Sequence, residues 1–406
     1  MLNEEMIRID CLHIRLNRLL LLVVGLWPYQ QSKFVRLQLI LLFGILATFI
    51  IFQFTVLVTN NKCTSDLLIR VFSSALLYII FAIKYISFSI NTEIIKCLLE
   101  QLQHIYNELS DKNEIGIIEK YGSYAKRYTV VLLYLFVTTV LSLSLYLFCP
   151  YIFNILFSKN GTRSRPSLPL MTEYFVDQEK YFYLILFHTY MAFVIGSIAM
   201  LAIGTMFIVY QQHACGMFRI ARIACSYRMT RAMVFETHQK RSLQNENLIC
   251  KEIICAVDMH RKAMKFFDYF RSKFQVMFFL LIVVGVICTS LNFFRIFQVV
   301  SVNEYDIVEL LLPVLFIVIQ IIYMIMTNYL AQEITDYNND VYVAVYNIQW
   351  YAAPLQIQKM IVFLLQRSNK AFNIDIAGLF VGSIEGAATL LSTAISYFTV
   401  LYSTRH

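Results

Sequence analysis

The chain has 406 residues, of which 59% are apolar and only 15% charged, with a net charge of +8. Its mean hydropathy is +0.62, whereas a soluble domain is about 45–50% apolar and about 25% charged. The excess must face lipid, which excludes an ordinary soluble domain. Thirty-three Phe and 26 Tyr suit apolar interiors and interfacial belts. Nine cysteines without C-x-x-C spacing outline neither a disulfide framework nor a metal site.

The N-terminus, MLNEEMIRID, is acidic and lacks the basic n-region of a signal peptide. Leu19 to Leu26 is apolar but only eight residues long, and Trp27-Pro28 stops it. That predicts a helix lying at or dipping into the membrane interface. Seven longer apolar segments follow, at roughly 36–58, 67–90, 129–150, 183–210, 274–298, 308–330 and 376–402. Each reaches the roughly 20 residues that a helix needs to cross hydrocarbon. Arg70 and Lys84 interrupt the second, each near enough to an end to snorkel.

Basic residues orient these spans. With the N-terminus cytoplasmic, the inner segments (1–36, 91–128, 211–273, 331–373) carry 25 Lys and Arg, the outer segments six, and the spans three. The positive-inside rule therefore predicts N-terminus in and C-terminus out. Asn160-Gly161-Thr162, a glycosylation sequon in a polar loop, falls outside on this topology. The basic segment Cys215–Lys273 reads as helices continuing out of spans four and five. Its cations suit a solvated face near anionic lipid better than calmodulin or nucleic acid.

The last stretch, from Val341, is organised differently. VYNIQWYAAPLQIQKMIVFLLQRSN is amphipathic and too polar to span, and KAFNI links it to a terminal span with no charge after Glu385 until Arg405. Gly378, Gly382 and Gly386 recur at i, i+4 and i+8, which on a helix makes a small-residue face. That face would serve either contacts between neighbouring final helices or packing within the chain. Glu385 reads either as a cation vestibule or as a helix-end charge at the headgroups.

Catalytic patterns are absent from the sequence. Seven histidines stand singly, with no HExxH, Walker loop, GxSxG or carboxylate pair within a span. No enzyme, cofactor or metal is expected, and His188 reads as a packed or hydrogen-bonded histidine. Phe72, Tyr78, Tyr146, Tyr151, Phe187, Tyr190 and Phe193 gather in the outward halves of spans two to four. With hydroxyls such as Ser74 and Ser142, they could line a cavity for a small apolar ligand or be plain core and lipid-facing surface.

Tyr346-Asn347, Trp350, Pro354, the LLQRS run at 364–368, Ala377-Gly378 and Ser396-Tyr397-Phe398 with Leu401 together resemble the ending of insect odorant receptors. Gly25–Pro28 (GLWP) is similar to the family's opening motif. The resemblance covers the whole chain and is most specific in the last sixty residues. It implies an all-α membrane protein of seven transmembrane helices with a cytoplasmic helical anchor domain. The division would be 1–35 (N-terminal and re-entrant helices), 36–330 (a six-span ligand-binding bundle with extensions 91–128 and 211–273), 331–372 (anchor helix) and 373–406 (pore-lining helix).

The family consists of tetrameric cation channels opened by volatile ligands, in which tuning subunits assemble with a shared co-receptor. The resemblance implies a plasma-membrane subunit of a sensory-neuron dendrite, passing monovalent cations and calcium and contacting lipid but no nucleic acid. It puts the anchor helix at Tyr346–Ser368, with Tyr346, Asn347, Trp350, Pro354 and Leu364 as anchor residues. The pore helix would be Asp375–Tyr402, with Val400 at the gate and Tyr397, Thr404 and Glu385 along the pore. A pocket among spans two, three, four and six would use Ser74, Leu77, Tyr78, Ser142, Tyr146, Tyr190, Val194, Leu312 and Phe316. Gly386-Ala387 stands where the family commonly has Thr-Phe, which puts inner-pore packing in doubt. Segment 211–273 is not enlarged as in the co-receptor, which implies a tuning subunit. The competing readings are a gustatory-receptor-like channel, whose characteristic ending SYFTVLYSTRH does not match, and a G-protein-coupled receptor. The charge bias and the lack of DRY and NPxxY oppose the latter.

Overall fold

The computed structural model describes residues 13–30, 32–59, 64–157, 170–225, 243–301, 307–348, 350–368, 375, 376 and 378–404. Ten α-helices appear among them. They are α1 (Arg15–Val23), α2 (Lys33–Thr59), α3 (Ser65–Ile90), α4 (Thr92–Glu108), α5 (Lys112–Phe157), α6 (Phe182–Ile223), α7 (Leu243–Val300), α8 (Ile307–Tyr346), α9 (Leu355–Ser368) and α10 (Ile384–Ser403). Seven of them, α2, α3, α5, α6, α7, α8 and α10, are long and apolar enough to cross a membrane. Hydrocarbon leaves no partner for backbone groups outside the helix, so spans of this composition become uninterrupted helices.

Four of the spans overrun the bilayer. α7 has 58 residues, about 87 Å at 1.5 Å per residue, against a hydrocarbon core of about 30 Å. The overruns of α5, α6, α7 and α8 pack together with α1, α4 and α9 into the larger of the two main cores. Phe207, Phe270 and Phe274 meet there at 4.9–5.5 Å between ring centroids. Polar pairs fix the registers of the long helices: Gln212 donates to Glu333 at 2.7 Å, and His260 Nε2 meets Asn338 Oδ1 at 2.9 Å. Such pairs let helices emerging from lipid stay together in water, where apolar burial alone is non-directional.

α1 packs one face into this core and leaves Leu19 and Val23 exposed on the other. Its Leu20 and Leu21 are buried, and Asn17 donates to Thr129 of α5 at 3.2 Å. Lys84 departs from expectation. It does not snorkel, but is 0% exposed midway along the bundle, its ammonium on the Tyr323 hydroxyl and 4.1 Å from that ring's centroid. Lys84 lies on the α3 face that packs inward, alongside Phe81, Tyr85 and Phe88, so its stem has no path to an interface. Arg70 behaves as an end charge, pairing with Glu309 of α8 at 2.9 Å.

Two expectations for the C-terminal stretch are also corrected. Residues 346–368 are not one helix: α8 ends at Tyr346, a 3-10 turn covers Trp350–Ala352, and α9 begins after Pro354. Proline disfavours helix in the residue before it. Nor does a helix begin at Asp375. A two-stranded hairpin, Asp375–Ile376 with Phe380–Val381, precedes α10. Gly378 holds the left-handed φ of +71° that its turn demands. Gly378 and Gly382 are therefore not on a helix, and the three glycines form no shared face.

Candidate functional site

At the loop end of the bundle, α2, α3, α5, α6 and α8 converge on a second core. Tyr78, Leu143, Leu147, Leu170, Thr189, Phe193, Leu312 and Phe316 surround a void of about 10 Å³, room for about one water. Phe49 lies 4.5 Å from Tyr78, Tyr78 5.9 Å from Phe81, and Phe81 6.3 Å from Phe193, centroid to centroid. The segment 170–181 folds over this end. Glu173 N–H donates to the Phe52 carbonyl at 2.9 Å, Thr55 donates to the Glu173 carbonyl at 2.7 Å, and Tyr174 stacks on Phe52 at 4.2 Å. His188 is 2.6 Å from the Tyr174 hydroxyl and 3.3 Å from Thr48, so it ties this cap to α2 and α6. That is the hydrogen-bonded histidine expected from sequence.

Of the nine pocket residues expected, the structure brings Tyr78, Leu312 and Phe316 onto the void itself. Leu77 is in the same core, and Tyr146 and Tyr190 pack against it. Tyr190 shares a hydrogen bond of 2.8 Å with Ser144. Ser74 is buried one step away, accepting from Gln53 at 3.1 Å, and Val194 is half-buried. Ser142 stands apart. It is exposed and returns its proton to the Thr139 carbonyl of its own helix, because it points away from the α5 face carrying Leu143 and Leu147. Phe187 is likewise 57% exposed, on the outside of α6. The side chain of Tyr151 and all of Asn160 lie outside the described residues. Leu143, Leu147 and Thr189 were not singled out by sequence, and Leu170 comes from a segment with no periodicity to read.

The second feature is α10. Ser383 caps it, accepting from Gly386 N–H at 2.9 Å, while Ser383 N–H donates to Asn328 of α8 at 3.2 Å. A Cβ on Gly386 would strike the Val381 carbonyl and come within 2.8 Å of Phe380. Glycine at that position is thus required by the hairpin. Ala387 and Ala394 are buried, Ser290 of α7 donates to the Ala394 carbonyl at 2.9 Å, and Phe398 meets Phe293, Phe294 and Phe297 at 6.2–6.4 Å.

At 100° per residue, Glu385, Thr389, Ser392, Ser396, Val400 and Ser403 fall within an arc of about 80° opposite that packed face. All six are exposed in the single chain. Tyr397 and Thr404, also exposed, flank this arc. The hydroxyls of Thr389, Ser396 and Ser403 donate back into the helix at 2.9–3.0 Å. Their free lone pairs point outward with the Glu385 carboxylate, an arrangement that favours cations over anions. A polar stripe on a spanning helix is costly against lipid and inexpensive against water.

The expected anchor residues divide between exposed and packed positions. Tyr346 and Asn347 are exposed at the end of α8, and Trp350 is half-buried in the 3-10 turn. Pro354 precedes α9, whose Ile357, Ile361 and Leu364 turn into the larger core. Tyr351, Leu355 and Phe363 stand 66–71% exposed beside them.

The family model described as "7tm Odorant receptor" matches residues 64–395. No curated protein matches by sequence. Among solved structures, the chain is similar to the insect olfactory receptor OR5 from Machilis hrabei in complex with eugenol. The TM-score is 0.77 at 15% identity, over 97% of this chain and all of that one. A structure of the same receptor described without eugenol gives 0.74 at 16% identity, over 97% and 99%.

Proposed function

This chain belongs to the seven-transmembrane odorant receptor family, and from that premise we propose that it is a tuning subunit of a ligand-gated, non-selective cation channel. It works with a co-receptor in a heterotetramer at the plasma membrane and detects a small hydrophobic volatile. The observation that carries the channel reading is the exposed polar stripe on α10, facing away from the bundle that buries the helix's other side. Four such helices around an axis would enclose water and pass cations, with Val400 as the narrow apolar point. Tyr397 and Thr404 flank it, and Glu385 sits at the inner mouth.

The aromatic core at the loop end is the ligand site in this reading, with Tyr78, Leu312 and Phe316 on the void and Leu77, Tyr146, Tyr190, Ser74 and Val194 around it. A void of about one water cannot hold an odorant. Ligand must therefore bind a state in which these rings have moved apart, and binding that state shifts the equilibrium toward it. α8 lines the void through Leu312 and Phe316 and holds the start of α10 through Asn328, so one helix joins ligand to pore. The exposed Tyr351, Leu355 and Phe363, with Tyr346 and Asn347, suit subunit contacts in the anchor.

The test is expression in cells with and without a co-receptor, recording current under a broad odorant panel. Odorant-evoked cation current only when both subunits are present is the expected result. Silence across the panel, with both proteins at the surface, defeats the tuning-subunit reading.

A further inference from the structure

A larger void lies towards the α9 end of the bundle, bounded by α6, α7, α8, the hairpin and the first turns of α10. It measures about 150 Å³, the size of an engineered apolar cavity that takes up benzene. Phe207, Phe270 and Phe278 form one wall, with centroids 5.1–6.1 Å apart. Tyr323 forms another, its ring held by Lys84 on the side chain's far contact. Two glycines shape the space. Gly204 lines it, and a Cβ built there meets nothing within 4 Å. No described residue packs closely enough to require glycine at that position, although glycine weakens a helix interior relative to alanine. Its effect is to leave the void open. Gly285 does the opposite service: a Cβ there would lie 2.8 Å from Gln320 Nε2, so its absence lets the Gln320 amide lie against α7.

The polar groups around the void are not equally free. Asn328 donates to the Met324 carbonyl and accepts from Ser383, Thr327 donates within its own helix, and Arg271 is taken by the Asp375 carbonyl and Asp268. The amides of Gln211 and Gln320 make no hydrogen bond to any other described residue. An aromatic box with two unengaged amides and no free charge selects a neutral ring carrying one polar group.

We infer that this void is a second ligand site, separate from the loop-end core, for a benzene-sized neutral aromatic bearing one hydroxyl or carbonyl. The ring packs among Phe207, Phe270 and Tyr323, and its polar group bonds Gln320 or Gln211. Phe380 and Leu390 complete the wall, so the bound molecule touches both the hairpin and the base of α10.

The test uses 4-fluorophenol and the full-length protein in lipid nanodiscs, read by ligand-observed fluorine NMR. No current is needed, so the outcome is independent of whether the chain forms a channel. Saturable broadening is expected with wild type and with Leu147→Phe, which crowds the loop-end core instead. Gly204→Leu, placing a side chain into open space, lowers the affinity by about tenfold or more, and Gln320→Leu weakens it less. Variants are compared only when monodisperse with near wild-type melting. If Gly204→Leu fails that, Gly204→Ala combined with Gln320→Leu replaces it. Undiminished binding in the filled variant, loss in Leu147→Phe alone, or no saturable binding because a lipid tail occupies the void overturns the assignment.

Discussion

Single residues in this molecule carry consequences that their identity alone does not announce. Gly386 stands in the first turn of α10, where an added methyl collides with the Val381 carbonyl. Backbone cannot rotate away as a side chain can, so Gly386→Ala is expected to cost about 1–3 kcal/mol. Scanning fluorimetry of the purified protein should show a lowered melting temperature. Lys84 works in the other direction. A fully buried ammonium whose described contacts are all with one tyrosine forfeits hydration that a phenol returns only in part. Lys84→Met, similar in length and apolar, should melt higher than wild type. A lower melting temperature would show that the Tyr323 contact outweighs the desolvation.

Among elements, the joint between α8 and α10 is the contact through which the proposed ligand core would act on the proposed pore helix. Asn328 accepts the Ser383 N–H, and Ser383 in turn caps the helix. Leaving the Ser383 N–H without its acceptor costs about 1–3 kcal/mol. Asn328→Ala should therefore weaken the transfer of motion from the loop-end core to α10. In recordings this appears as a reduced maximal odorant current at unchanged surface expression. An unaltered dose–response curve would place the coupling elsewhere. The α5, α6, α7 and α8 overruns form the opposite kind of element contact, a broad core locked by Gln212–Glu333 and His260–Asn338, and single substitutions there should act on assembly and stability rather than gating.

For the whole molecule, topology and conduction are the properties at stake. If the N-terminus is cytoplasmic, as the charge bias predicts, the sequon at Asn160 would be on the outer side, and Asn160→Gln should abolish a shift in mobility on deglycosylation. A tag at residue 1 should also be reached by antibody only after the membrane is permeabilised. If Val400 is the apolar constriction, Val400→Asn in the co-assembled channel should raise the resting current by relieving dewetting. An unchanged resting current, with the variant at the surface, would move the gate off this position.

Much of the fold was legible because the bilayer simplifies the physics. Apolar runs of about twenty residues have one way to satisfy their backbone in hydrocarbon, so the seven spans could be read from composition. The family could be read from the closing motifs in order, through residues such as Trp350, Pro354 and Ser396-Tyr397-Phe398. The amphipathic stretch before the last span is likewise visible, whereas its break at Pro354 and the hairpin around Gly378 interrupt a pattern that periodicity alone continues. What escaped was everything decided by the far side of a contact. Lys84 is buried because α8 supplies Tyr323, Ser142 is excluded because α5 turns it outward, and Leu170 reaches the void through a segment without periodicity. Gly204 and Gly285 look alike in sequence, yet one leaves a cavity open and the other makes room for an amide. The sequence by itself determined the helices, their lipid-facing character and the family. Only the tertiary structure decided which side chains meet in a cavity, because that depends on the rotation and register of helices that local periodicity does not encode.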